Sequence, residues 1–126
     1  MERKRIVQAS TDASLAHSRE QVLTMAGFAV RTLTDVEELA VACRQERFDL
    51  LIVGHLLEYR SRQDIAQAFR KLNPGAPIVQ LVSMNEPAGE VDYVFDIHNG
   101  PDALLALLST ILLKPHSQSF GISETV

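Results

Sequence analysis

The chain has 126 residues, 46% of them hydrophobic and 22% charged, and a formal net charge of −4. That length suits one domain with a single core, and the acidic balance argues against general nucleic-acid binding, which needs a concentrated basic surface. Cys43 is the only cysteine, which excludes an intramolecular disulfide and a cysteine-based zinc cluster.

No apolar run approaches membrane-spanning length, and Met1 to Arg5 is basic, without the apolar core of a signal peptide. The cytoplasm is therefore the expected compartment, with neither membrane nor nucleic acid as a partner. Arg5-Ile6-Val7-Gln8-Ala9 reads as a short strand, followed by Ser10-Thr11-Asp12 as a polar turn and helix cap. From Ala13 to Ala26 the apolar residues Leu15, Val22, Leu23 and Ala26 recur at helical spacing. Gly27 stands where a left-handed residue ends a helix. Phe28–Leu33 is the second predicted strand. Thr34 and Glu37 have the spacing of a capping box and predict a helix that buries Val36, Leu39, Ala40 and Cys43. Cys43 is thereby read as a small core residue rather than a reactive thiol.

The prediction centres on Phe48-Asp49-Leu50-Leu51-Ile52-Val53-Gly54-His55. Its consecutive large aliphatics read as a strand buried on both faces, because a strand with one exposed face alternates. In open α/β sheets, ligands gather at the carboxyl ends of such strands, and this end carries Gly54 and His55. Glu58 to Arg62 reads as a charged loop leading to a helix capped by Ser61, with Asp64 as a weaker partner. Arg60 and Arg62 have the forked donors that suit an anion, and a solvated loop accounts for them equally well. Ile65, Ala68, Phe69 and Leu72 form the apolar stripe of that helix, and Asn73-Pro74-Gly75 ends it.

Pro77–Val82 is the fourth strand, and Tyr93-Val94-Phe95 lies in a shorter fifth. Between them Pro87 and Gly89 are poor helix formers, so the fourth crossover helix is expected to be shortened or missing. Pro101 suits the first turn of a last helix carrying Leu104, Leu107, Leu108, Ile111 and Leu112. A single domain is expected over 1–126, with its core at about 5–113 and a flexible tail at 114–126. Strands alternating with helices imply an α/β, doubly wound, five-stranded parallel sheet.

Ala26-Gly27-Phe28-Ala29-Val30, Phe48 to Val53, and Leu72-Asn73-Pro74-Gly75-Ala76-Pro77-Ile78-Val79 together resemble the receiver domain of bacterial two-component response regulators. The resemblance covers roughly Arg5 to Leu113. It implies a flavodoxin-like sheet in the order 2-1-3-4-5. It also implies a chemistry in which an aspartate ending strand three accepts a phosphoryl group. Two acids hold Mg²⁺, and a hydroxyl and a lysine take up the phosphoryl oxygens. Carried onto this chain, the acceptor position falls on Gly54 and the acid pair on Ser10 and Thr11, with Asp12 one step beyond. The hydroxyl position falls on Val82, beside Ser83, and the lysine region reads Asp96-Ile97-His98. These positions are expected to be vestigial, with no catalytic residue, cofactor or metal.

The resemblance therefore implies a stand-alone, receiver-like signalling module, not an enzyme, that acts through a protein partner. It also suggests a homodimer through the last helix and fifth strand, whose leucines exceed one core-facing stripe. Two other readings stay open. One is phosphotransfer through an unconventional acceptor, His55 or Asp12. The other is a small-molecule or anion binder in the strand-end crevice, with Ser10, Thr11 and Ser83 as polar contacts. A convergence of Asp12, Asp96 and His98 with His55 at the strand ends is one reading, and a vestigial acidic pocket is the preferred one. His17, His55, His98 and His116 lack metal-ligand spacing.

Overall fold

The computed structural model describes residues 3–83 and 89–113. The expected tail, 114–126 with His116, lies outside the described residues, as does most of the stretch in which the fourth crossover was expected. In chain order the elements are β1 (Arg5–Ala9), α1 (Ala13–Met25), β2 (Ala29–Leu33), α2 (Val36–Gln45) and β3 (Leu50–Val53). There follow α3 (Tyr59–Leu72), β4 (Ile78–Val82), β5 (Tyr93–Asp96), a 3₁₀ turn (Ile97–Asn99) and α4 (Gly100–Leu112). The strands form one parallel sheet in the order β2-β1-β3-β4-β5, the doubly wound, flavodoxin-like arrangement.

β3 is the centre. Leu50, Leu51, Ile52 and Val53 are each no more than 1% exposed, between β1 (Ala9 opposite Val53) and β4 (Val53 opposite Gln80). Because side chains alternate along a strand, the run feeds two cores. Val7, Leu51, Val53 and Ile78 pack with Leu39 and Phe69 of α2 and α3. Ile6, Leu50, Ile52 and Leu81 pack with Leu23 and Leu108 of α1 and α4. Each large side chain so buried contributes roughly 1.5–3 kcal/mol. The continuous apolar run is what makes this strand central.

The helix caps differ from expectation. α1 is capped by Asp12, whose Oδ1 accepts the Leu15 N–H at 2.9 Å. Its buried residues are Ala16 and Leu23, and Leu15 stays 41% exposed. α2 does not use Thr34 and Glu37. The box sits one residue later: Asp35 accepts the Glu38 N–H at 2.8 Å, and Glu38 reaches back to the N–H and hydroxyl of Thr34 at 2.7 and 2.8 Å. Asp35 leads in the extended conformation that an N-cap needs. Two hydrogen bonds from Thr34, its N–H first and its hydroxyl second, hold the Glu38 carboxyl below its usual pKa. Leu39 and Ala42 are the buried residues of α2, with Val36 and Cys43 packed against the core.

α3 begins at Tyr59, so Ser61 lies inside its first turn and Glu58 occupies the cap without a side-chain hydrogen bond. Leu57, just before, is buried. Ala66 is buried where Leu72 was expected, and Leu72 is 43% exposed. Asn73 ends the helix and reaches α2 and the chain entering β3: its Oδ1 accepts the Phe48 N–H at 3.0 Å, and its Nδ2 donates to Cys43 Sγ at 3.2 Å. Burial pushes the Cys43 thiol pKa up, against that hydrogen bond, so the thiol is a packing residue. Gly75, at φ +86°, turns the chain into β4.

The described residues between β4 and β5, Ser83 and 89–92, carry no helix, and four α-helices are present among the described residues. Side chains tie down the start of β5. Asp92 accepts the Ile78 N–H at 2.8 Å, and Arg70 of α3 bonds the Glu90 carbonyl at 3.0 Å and lies 3.6 Å from Asp92.

Candidate functional site

The carboxyl ends of β1, β3, β4 and β5 all open on one edge of the sheet, as parallel pairing requires. Ser10 and Gly54 meet there. Ser10 is 6% exposed, its N–H donates to the Leu33 carbonyl at 2.9 Å, and its Oγ accepts the Asp12 N–H at 3.2 Å. Gly54 donates to the Ala9 carbonyl at 2.8 Å. A Cβ built on Gly54 would lie 2.9 Å from the Ala9 carbonyl oxygen and 3.5 Å from the Ser10 Cα and Cβ. Backbone cannot swing aside as a flexible side chain can, so β1 closes over the place where a larger residue would project.

The remaining positions lie at or just after the strand ends. Thr11 is exposed, His55 is half-buried in the turn after β3, and Val82 is buried at the end of β4, opposite Asp96. Ser83 follows at the boundary of the described residues. Asp96 caps the 3₁₀ turn, accepting the His98 N–H and meeting His98 Nδ1, each at 2.9 Å. That pairing is local in sequence. Asp12 is engaged at the start of α1, and among the described residues no ion pair links it to His55.

Mg²⁺, which the resemblance implies, asks for several oxygen ligands with carboxylates among them. The donors at this edge do not fit it. By the resemblance, Ser10, Thr11 and Gly54 stand where the family has carboxylates, and Asp12 spends an oxygen on the helix cap. No cluster of three or more histidine, cysteine, aspartate or glutamate side chains suited to a metal occurs among the described residues.

Sequence reading missed a polar network beneath this edge. Gln8, fully buried in β1, donates to the Ala16 carbonyl at 2.9 Å and to Thr32 Oγ1 at 2.8 Å, and accepts from Arg19 Nη1 at 3.0 Å. Thr32 passes the chain on to Glu20 at 2.8 Å. Burial lowers the Arg19 pKa, though a guanidinium stays charged. β4 buries a second glutamine, Gln80, at 2% exposure. The available signal was a polar residue inside each apolar run, Ile6-Val7-Gln8-Ala9 and Ile78-Val79-Gln80-Leu81.

β5 is an edge strand, with Tyr93 and Val94 41% and 51% exposed, and Leu113 after α4 is 57% exposed. No helix among the described residues is long and apolar enough to cross a membrane.

No protein-family model matches the chain. It is similar to the DNA-binding response regulator MtrA of Mycolicibacterium paratuberculosis, 31% identical over 100 residues that make up 79% of this chain and 43% of that protein. The MtrA protein of Mycobacterium leprae matches to the same extent. The chain thus spans less than half the length of these relatives. Among solved structures, chemotaxis protein CheY4 of Vibrio cholerae superposes with a TM-score of 0.77 at 20% identity, over 88% of this chain and 100% of that one. A chain from the complex of histidine kinase ThkA with response regulator TrrA superposes with a TM-score of 0.72 at 19% identity, over 86% and 98%.

Proposed function

The chain is a receiver domain of the response-regulator type, and we propose that it serves two-component signalling by protein contact, without accepting a phosphoryl group at the family's usual position. The observation that carries this reading is Gly54. It supplies no carboxylate, and the Ala9 carbonyl would stand 2.9 Å from any Cβ added there. The mismatch of Ser10, Val82 and Asp96 with the family's pattern supports the same reading. It assigns no catalytic residue.

The solved complex of a histidine kinase with a response regulator makes a signalling protein of that class the natural partner. The exposed edge at Tyr93 and Val94, with no helix in the described residues leading into it, suits a contact surface. The same edge and α4 would carry a homodimer. Light scattering checks this last part, and a mass that stays monomeric at high concentration removes it.

The test of the central reading is an NMR titration with Mg²⁺ and beryllofluoride, a mimic of an aspartyl phosphate. The expected result is no saturable shift at Ser10–Asp12, Gly54–His55 or Val82–Ser83. Localised, saturable shifts there would overturn the proposal and point to an unconventional acceptor.

A further inference from the structure

Between α1 and α4, on the face of the sheet that buries Leu23 and Leu108, an open groove of about 250 Å³ runs over Leu81 and Phe95. Leu15, Ser18, Arg19 and Val22 follow one another at i, i+3, i+4 and i+7 and form its α1 wall. The opposite wall is the start of α4, where Gly100 and Pro101 bring little side chain to fill the seam above Leu104. Leu15 is left 41% exposed.

Apart from Ser18 and Arg19 the lining is apolar or glycine, and no acid belongs to it. Arg19 is thus a lone cation set in an apolar wall. Its Nη1 donates to Gln8 Oε1 at 3.0 Å, and among the described residues it makes no ion pair. That bond leaves the Nε–Nη2 edge, a fork that matches a carboxylate. Burial lowers the Arg19 pKa, so its charge is partly stripped of water and gains more from an anion than an exposed charge does. The volume is about eight times the share of a water molecule in the liquid, enough for a short hydrocarbon chain and too small for a nucleotide. A phosphate head would bring a second charge that the single cation leaves unmatched. The groove suits one negative charge at one end of an alkyl chain.

We propose that this groove binds a medium-chain aliphatic monocarboxylate, its alkyl chain lying over Leu81 and Phe95 and its carboxylate on Arg19. Filling the seam removes apolar surface of both helices from water and ties α1 to α4. The groove includes none of the vestigial phosphorylation positions, so the site stands or falls independently of the function proposed above.

The test is an NMR titration of the full chain with octanoate, with 1-octanol as the uncharged probe of equal length. Octanoate is expected to shift Leu15, Arg19, Leu81 and Leu104 saturably and to bind about tenfold more tightly than 1-octanol, the margin of one charge-assisted pair. Leu15→Gln, at an exposed position, is expected to weaken both probes. Arg19→Met is expected to remove the difference between them and leave 1-octanol bound. Because Arg19 also holds Gln8, the comparison of the two probes on the wild-type chain decides the matter even where Arg19→Met fails to fold. No saturable shift, or equal affinities for the two probes, would overturn the proposal. Shifts of the same residues on dilution without any probe would also overturn it, by placing a second copy of the chain in the groove.

Discussion

β1 and β4 each bury one glutamine in an otherwise apolar run, on opposite faces of the sheet, and the two meet different neighbours. Gln8 faces α1, which offers a carbonyl at Ala16 for its amide nitrogen and a guanidinium at Arg19 for its amide oxygen. Gln80 faces α3, which offers Arg62, another donor, and the Gln80 amide nitrogen and two Arg62 nitrogens make no hydrogen bond. The two residues have the same chemistry and nearly the same burial. The difference teaches that burial of a polar group is decided by the complementarity of what lies across from it. A completed network stabilises one unique packing, and an incomplete one leaves buried donors unpaired.

The comparison predicts unequal responses to the same change. Gln8→Leu, which strands Arg19 and Thr32, is expected to cost about 2–4 kcal/mol, read as a fall in the urea midpoint at unchanged slope. A loss below about 1 kcal/mol would mean that water replaces the network.

Asn73→Ala asks whether partners or the choice of face matter more. Asn73 lies on the same face as Gln80 but is fully engaged with Phe48 and Cys43. Its removal leaves the Phe48 N–H buried and unpaired, at an expected cost of about 1–3 kcal/mol. The same denaturation series measures it, and no loss would show that the α2–α3 side tolerates unpaired groups generally.

The smallest effect is expected at Gln80. Gln80→Leu gives up the bond to Gly89 but also removes an unpaired N–H, so its stability should stay within about 1 kcal/mol of wild type. A large loss would show that the amide has a partner of its own in solution.

The candidate site divides along a similar line. The position of Gly54 at the end of a buried strand was legible, because four consecutive aliphatics can only be satisfied in the middle of a sheet covered on both faces. The absence of a carboxylate there was equally plain. What could not be read was the approach of the Ala9 carbonyl, which closes that position to a side chain. Asp12 and Asp96 were singled out as acids at one edge. They prove to be local caps, of α1 and of the 3₁₀ turn, because a carboxylate beside free helical N–H groups is satisfied there first.

The sequence by itself determined the strands, the alternation of helices and strands, and the burial of β3, since these follow from the spacing of apolar residues over a few neighbours. It placed the caps of α2 and α3 within a few residues and erred on their identity. Asp35 and Thr34 are both good caps by type, and Glu58 stands at the cap of α3 without a side-chain hydrogen bond. The tertiary structure alone decided which buried glutamine finds partners, how closely β1 backs onto Gly54, and what shares a cavity with Arg62. Those outcomes rest on residues far apart in the chain and close in space. Periodicity states which face a side chain occupies, and folding supplies what stands opposite it.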